Sequence, residues 1–163
     1  IYPFAKRFTW WPQAFLGLAF NWGVLLAWAA HMGNLAPAPL LAYVAGIAWT
    51  IFYDTIYAHQ DAEDDGLIVV KSTARLFGTD TPRWLAVFGA ASVLFLMLAV
   101  LATGPSWSQA LIALLGVAGF AGHLLWQLGR FDMHDSAGCL RLFRANRDAG
   151  LIVALFLAVA GIV

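Results

Sequence analysis

Charged side chains are scarce in this 163-residue chain, where Asp, Glu, Lys and Arg make up only 11% of the residues, against about 25% in a typical soluble domain. Hydrophobic residues account for 62%, and the mean hydropathy is +0.77. This composition excludes an ordinary soluble globular protein and a disordered chain. One cysteine, Cys139, excludes an intramolecular disulfide. Nine basic residues balance nine acidic ones, so no net charge favours nucleic-acid binding. The sequence predicts an integral membrane protein.

Five stretches are apolar and long enough, or nearly so, to cross a bilayer, which takes roughly 20 residues. They cover residues 12–32, 40–57, 82–102, 108–128 and 150–163, the last being short for a span. The connections at 54–83 and 130–148 are long and polar, whereas the other two carry Gly and Pro, as expected of turns. The sequence therefore predicts an all-α, multi-span transmembrane helical bundle, with residues 1–163 in a single membrane domain.

Aromatic residues and glycines in and near these spans have predicted structural roles. We assign the aromatic residues near the span ends to the belt at the membrane interface: Trp10, Trp11, Trp49, Tyr53, Trp84, Trp107 and Trp126. We expect the glycines within spans to allow close helix packing: Gly17, Gly23, Gly46, Gly116, Gly119 and Gly122.

The formal charges fall into three groups, which five successive spans place on one face of the membrane. Lys6 and Arg7 precede the first span, and the other charges lie in the two long connections. Because Lys and Arg favour the cytoplasmic side, we expect this face to be cytoplasmic. The chain starts at Ile1 just before an apolar stretch, so we expect it to be the C-terminal part of a longer protein.

An acidic segment follows the second span. It holds five carboxylates within twelve residues: Asp54, Asp61, Glu63, Asp64 and Asp65. Carboxylates this close repel one another unless a cation neutralises them, and oxygen ligands favour a hard ion, Mg²⁺ or Ca²⁺. Such a site beside the cations of Lys71 and Arg75 is typical of diphosphate binding. His59 is a further candidate for this site, and a solvated acidic loop without a ligand is the alternative.

Three segments resemble the UbiA superfamily of membrane prenyltransferases. They are residues 2–9 leading into 12–20, residues 53–58 continuing through 61–65, and residues 71–78. The resemblance spans essentially the whole chain and is closest to the branch that prenylates 4-hydroxybenzoate in ubiquinone biosynthesis. It implies a fold of nine helices, of which this chain would provide the last five. The second of two Asp-rich motifs stands here as Asp61-x-x-x-Asp65, and the first, Asn-Asp-x-x-Asp-Arg, is not in these residues.

The resemblance implies a Mg²⁺-dependent transfer of a polyprenyl group from polyprenyl diphosphate to the ring of 4-hydroxybenzoate in the bacterial or mitochondrial inner membrane. It makes Asp61 and Asp65 the metal ligands, and the full set of implied catalytic residues is Asp54, Asp61, Asp64, Asp65 and Lys71. The implied contacts to diphosphate or to the aromatic carboxylate are Lys6, Arg7, Arg75, Arg144 and Asn146. One Asp-rich motif provides at most half of a two-sided metal site, so we expect no turnover without the N-terminal half.

Three alternatives stay open at this point. The chain could belong to another quinone, chlorophyll or haem prenyltransferase of the superfamily, to a non-catalytic transporter, or to a structural membrane subunit. A transporter predicts charged residues near the membrane midplane, where the spans carry only the uncharged Asn21 and His123. The related motif of CDP-alcohol phosphotransferases is excluded, because it requires an Asp where Ala62 stands.

Overall fold

The computed structural model describes Ala5 and residues 7–60 and 71–163. Regular structure within these residues is entirely helical. The helices are α1 (Pro12–Phe20), α2 (Trp22–Met32), α3 (Pro37–Ala58), α4 (Thr73–Phe77), a 3₁₀ turn (Gly78–Asp80), α5 (Thr81–Ala102), α6 (Trp107–Arg130) and α7 (Ser136–Ile162). Five segments are long and apolar enough to cross a membrane: Pro12–Met32, Pro37–Ala58, Thr73–Ala102, Trp107–Arg130 and Ser136–Ile162. The predicted all-α, multi-span bundle is confirmed.

The first span is broken at Asn21, which ends α1 and begins α2. The Asn21 side-chain amide donates to the Gly17 carbonyl at 2.8 Å and to Thr50 Oγ1 on α3 at 3.0 Å. Gly46 leaves the space for this side chain, because a Cβ there would overlap it. A break in a membrane helix needs such partners for its polar groups, and here α1 and α3 each provide one.

The last helix is longer than the sequence predicts. α7 begins at Ser136, with the Asp135 carboxylate accepting from the Gly138 amide at 2.8 Å, and it runs for 27 residues. The predicted span at 150–163 and the predicted polar connection at 130–148 are therefore wrong at this boundary, and only residues 131–135 separate α6 from α7. Hydropathy places the boundary too late because it measures polarity, and the charged first half of α7 is polar but helical.

The core lies where α3, α5, α6 and α7 meet. α3 packs most extensively against α5, and α6 against α7. The largest buried cluster contains Phe52, Ile56, Leu85, Phe120, Leu124, Cys139, Leu142 and Ala149.

Glycines let some of these helices approach closely, as predicted. On α6, Gly116 faces Phe156 of α7, and Gly119 faces Ile152. For Gly23 and Gly122 the prediction is wrong within the described part of the chain, where a Cβ at either position would have no neighbour within 4 Å.

One end of the bundle, which we call the charged end, gathers the connections that carry the charged residues. Lys71 Nζ donates to the Phe8 carbonyl at 3.4 Å, and Ser136 Oγ donates to the Gln60 carbonyl at 3.1 Å. His59 at the end of α3 lies 3.2 Å from Thr81 Oγ1 at the start of α5, so the end of α3, the start of α5 and the start of α7 meet here. The charged residues that the structure describes share this end, as the sequence predicts, and the side of the membrane that this end faces stays a prediction.

Candidate functional site

A cleft of about 1020 Å³ opens at the charged end between α1, α3 and α7. We call it the α3–α7 cleft. Its lining combines apolar, aromatic and charged residues from these helices: Leu16, Phe20, Asn21, Trp49, Thr50, Tyr53, Asp54, Tyr57, Arg141, Phe143, Arg144, Ala145, Asn146, Arg147 and Asp148. Its volume is at the upper end of the range for small-molecule sites.

Aromatic rings form one wall of the cleft. Trp49, Tyr53 and Tyr57 follow one another at intervals of four residues on α3, so they share a helix face and extend over about 12 Å along it. The Trp49 and Tyr53 rings meet edge to face at 5.8 Å. Phe143 of α7 lies 5.8 Å from the Tyr53 ring and 4.6 Å from the Tyr57 ring. These four residues, the aromatic wall, give the cleft a continuous apolar side.

Charged groups form the other part of the lining. Asp54 is only 6% exposed, and three arginines of α7 follow at three-residue intervals. Arg141 pairs with Asp135 at 3.2 Å and Arg147 with Asp148 at 2.8 Å, whereas Arg144 makes no ion pair within the described part of the chain. Exposed ion pairs are worth at most about 1 kcal/mol, so all three guanidinium groups are available to an anionic ligand.

The structure brings only some of the predicted site residues together. Asp54, Arg144 and Asn146 line the cleft. Lys71 and Arg75 lie over the Trp10 ring, 5.7 and 5.9 Å from its centroid, and do not line the cleft. Arg7 is exposed and does not line it either. The predicted residues Lys6, Asp61, Asp64 and Asp65 lie outside the described residues.

The segment with Lys71 and Arg75 is fixed to the end of α3 beside the cleft. Ser72 caps α4 by accepting from the Arg75 amide at 3.4 Å, and Thr73 Oγ1 lies 2.6 Å from Thr55 Oγ1. Both threonines are fully buried. Because Thr55 follows Asp54 directly on α3, this helix presents Asp54 to the cleft and the next residue to α4.

The amide of Asn146 is fully occupied by protein partners. Its Oδ1 accepts from Trp49 Nε1 at 2.9 Å and from Gln127 Nε2 at 3.1 Å. Its Nδ2 donates to Gln127 Oε1 and to the Leu142 carbonyl, both at 3.0 Å. A carboxamide has two donor hydrogens and two acceptor lone pairs, so no capacity remains for a ligand in this arrangement.

His59 joins the end of α3 to the start of α5. Thr81 Oγ1 donates its hydrogen to the Gly78 carbonyl at 2.7 Å, so His59 Nε2, 3.2 Å from the same oxygen, must be the donor of that pair. Burial lowers the pKa of His59 to about 4, with a smaller contribution from nearby His134. His59 is therefore neutral at physiological pH. No group of three potential metal ligands occurs among the described residues.

A second cavity, of about 420 Å³, lies at the opposite end of the bundle among α2, α3, α5, α6 and α7. Most of its lining is apolar, and small residues such as Ala38, Ala42 and Ala99 contribute much of it. None of the predicted site residues lines it. The α3–α7 cleft is the candidate site, because there charged groups and apolar rings converge on one space.

Sequence reasoning missed several cleft residues whose spacing carried a signal. Trp49 does not belong to the interfacial belt, since its indole binds Asn146 and its ring packs against Phe120 of the core at 5.2 Å. The four-residue interval from Trp49 through Tyr57 predicts a shared helix face. The three-residue interval from Arg141 to Arg147 does the same for α7.

Comparison with known proteins gives close matches. Residues 1–160 match the UbiA prenyltransferase family. The chain is 48% identical over 153 residues to "4-hydroxybenzoate polyprenyltransferase, mitochondrial" of Arabidopsis thaliana, covering 93% of this chain and 37% of that protein. Proteins of the same name from Rattus norvegicus and Homo sapiens are 47% and 45% identical, each match covering 94% of this chain and 40% and 41% of the relative. The chain thus spans about two fifths of the length of these relatives. No solved structure matches it.

Proposed function

This chain belongs to the UbiA prenyltransferase family, and on that basis we propose that it forms part of a membrane enzyme that transfers a polyprenyl group from polyprenyl diphosphate to 4-hydroxybenzoate. The family match confirms the resemblance inferred from the sequence. The names of the relatives support 4-hydroxybenzoate as the acceptor and a mitochondrial-type location. We further propose an inner membrane, with the charged end facing the matrix or cytoplasm because Lys and Arg favour that side.

The observation that carries this proposal is the composition of the α3–α7 cleft. A polyprenyl diphosphate has an anionic head and an apolar chain, and the cleft offers a matching pair of surfaces. The arginines of α7 suit the diphosphate, since guanidinium groups bind such oxygens in pairs. The aromatic wall suits the first isoprene units.

The proposed reaction breaks the allylic C–O bond, and the diphosphate leaves with the electron pair. A ring carbon of 4-hydroxybenzoate ortho to the hydroxyl forms the new C–C bond and then loses its proton. Arg144 compensates the negative charge that grows on the departing diphosphate, while the aromatic wall keeps water from the reacting carbon.

A divalent cation fits the donor chemistry of the acidic segment. Asp61 and Asp65 offer the oxygen ligands that Mg²⁺ prefers, and bound Mg²⁺ would supply further positive charge to the diphosphate. Asp54 is the one buried carboxylate of the cleft, and we assign it to support this site. Because the first Asp-rich motif would come from the N-terminal part of the protein, we propose that this chain alone does not catalyse prenyl transfer.

Prenyl transfer in membranes tests the proposal. Labelled 4-hydroxybenzoate, polyprenyl diphosphate and Mg²⁺ are supplied to the chain alone and to the chain joined to the N-terminal part of the Arabidopsis relative. We expect activity only in the joined form, with a loss of at least about 100-fold in Asp61→Asn and Asp65→Asn. Asp80→Asn is the matched control, since Asp80 is exposed at the charged end and pairs with Arg83. Full activity of the Asn variants would refute the assignment of Asp61 and Asp65 as metal ligands. Turnover by the chain alone would refute the proposal that the N-terminal part must provide the other Asp-rich motif.

Arg144 provides a separate test of the cleft. Arg144→Ala is expected to lower kcat/KM for polyprenyl diphosphate by about tenfold or more, the value of a charge-assisted hydrogen bond. Arg83→Ala is the control, because Arg83 is exposed at the same end but does not line the cleft. Equal effects of the two substitutions would show that the α7 arginines do not bind the diphosphate.

A further inference from the structure

Three helices are joined in the bundle interior by hydrogen bonds that converge on Asn146. Trp49 of α3 donates to its oxygen, and Gln127 of α6 forms a pair of reciprocal amide hydrogen bonds with it. Gln127 is 0% exposed and Asn146 is 7% exposed. The remaining hydrogen of Gln127 Nε2 is directed at His123 Nδ1, 3.0 Å away. This Asn146 cluster links the deep end of the cleft to the core.

The Trp49 indole N–H determines which atom donates and which accepts in each side-chain hydrogen bond of the Asn146 cluster. An indole nitrogen can only donate, so the atom of Asn146 that faces Trp49 must be Oδ1. Nδ2 then faces Gln127 Oε1, and Gln127 Nε2 points back to Oδ1. The same nitrogen makes His123 Nδ1 an acceptor. Rotating either amide by 180° would bring donors against donors, so the arrangement has a single consistent orientation.

Trp49 is seated by packing as well as by this hydrogen bond. Phe120 and Tyr53 meet its ring edge to face at 5.2 and 5.8 Å. Gly150, one turn beyond Asn146 on α7, leaves space for the indole, since a Cβ there would lie 3.0 Å from Trp49 Cη2. The indole is thus held by Asn146 at its nitrogen and by the rings of Phe120 and Tyr53, and Gly150 leaves space for its Cη2 atom. It also lines the cleft.

We propose that Asn146 and Gln127 are positioning residues that hold the Trp49 indole as the deep part of the aromatic wall, against which the apolar chain of the prenyl substrate packs. This inference rests on the proposed function. It gives Asn146 a different role from the substrate contact that the family resemblance implies, because the amide that would bind substrate is already saturated. Trp49 touches the substrate, and Asn146 and Gln127 act through it.

A double-mutant cycle in the joined protein separates positioning from direct binding. Trp49→Phe and Asn146→Ala are each expected to raise the KM for polyprenyl diphosphate about fivefold, as for the loss of one hydrogen bond. The double variant is expected to stay within about twofold of the worse single variant, because both changes affect the prenyl chain through the Trp49 indole. The KM for 4-hydroxybenzoate is expected to stay unchanged in all three. A general loss of folded protein would lower Vmax and leave both KM values unchanged, so it could not raise the KM for polyprenyl diphosphate alone.

Matched controls and a second variant keep the cycle interpretable. Trp107→Phe and Asn34→Ala alter exposed residues of the same types at the opposite end of the bundle, and neither is expected to change either KM. If Asn146→Ala does not accumulate as folded protein, the combined variant Asn146→Ala, Gln127→Leu replaces it in the cycle. This combination removes both amides of the pair and so leaves neither one buried without its partner.

The outcomes distinguish this inference from the function on which it rests. Inactivity of the joined parent protein would overturn the proposed function, and this inference with it. Activity with multiplicative effects of Trp49→Phe and Asn146→Ala would overturn the positioning role alone and would return Asn146 to direct substrate contact. Unchanged KM for polyprenyl diphosphate in both single variants would show that Trp49 does not touch the prenyl chain.

Discussion

Replacing Gly116 by alanine tests the contact between α6 and α7 directly. A Cβ at Gly116 would overlap the Cβ of Phe156 and lie 3.0 Å from its Cγ, where ordinary contacts begin at 3.4 Å. Because a Cβ atom cannot rotate away from its own helix, the two helices would have to separate. Gly122 is the matched control, since it lies on the same helix and a Cβ there would meet nothing within 4 Å.

The magnitude follows from these two environments. Overpacking of this kind costs about 1–3 kcal/mol, whereas the gain in helix propensity from Gly to Ala, up to about 1 kcal/mol, applies to both positions and cancels in the comparison. For a chain of this length about 2–4 °C of Tm corresponds to 1 kcal/mol. We therefore expect Gly116→Ala to melt about 5 °C below Gly122→Ala.

Thermal unfolding of the purified chain in detergent, followed by circular dichroism, provides the measurement. Gly122→Ala is expected to melt at or slightly above the parent. If Gly116→Ala melted as high as Gly122→Ala, the close approach of α6 to α7 at this glycine would be refuted. A drop in both variants would instead indicate that Gly122 faces a neighbour.

Two further predictions concern the buried polar groups at the charged end. The pKa of His59 is about 4 in the folded chain, below the ordinary value of 6.5. As the pH drops from about 6.5 to about 4, the unfolded chain therefore binds a proton at this histidine that the folded chain does not bind. The free energy of unfolding falls over this range. In a pH series, we expect the Tm of the parent to decrease more over this range than the Tm of His59→Gln. Equal decreases would contradict the lowered pKa of His59. Thr55→Val leaves the buried hydroxyl of Thr73 without its 2.6 Å partner and is expected to cost about 1–3 kcal/mol. Thr55→Val combined with Thr73→Val should cost less than the sum of the single changes in denaturant unfolding, whereas strict additivity would show that the two hydroxyls do not interact.

Much of the fold could be predicted from the sequence because a bilayer imposes a strong length and polarity requirement on each helix. The first four spans agree with the helices to within a few residues, and the charged residues within the described ranges collect at one end. The boundary of α7 could not be found in this way. Arg141, Arg144 and Arg147 lie at helical spacing within a segment whose mean polarity indicates a loop.

The candidate site could be predicted only in part, because its composition depends on which helices meet. The acidic motif and the family resemblance pointed to the end of α3, and Asp54 and Arg144 do line the cleft there. The meeting of Trp49, Gln127 and Asn146 joins residues that are 97 and 19 positions apart in the chain. No local spacing rule predicts such contacts, so the position of Trp49 near a span end indicates the interface, and nothing in the sequence singles out Gln127.

The uneven polarity of α7 has a consequence for how the chain enters the membrane during synthesis. Residues 136–148 hold all four of its formal charges, at positions 141, 144, 147 and 148. The apolar remainder, 149–162, extends over only about 21 Å of a hydrocarbon layer about 30 Å thick. On its own, this remainder is a weak signal for the insertion machinery. The preceding α6 is a complete span, and five residues join it to α7. The two helices are therefore expected to be integrated into the membrane together as a hairpin, with α7 packed against the glycines of α6 before it contacts lipid.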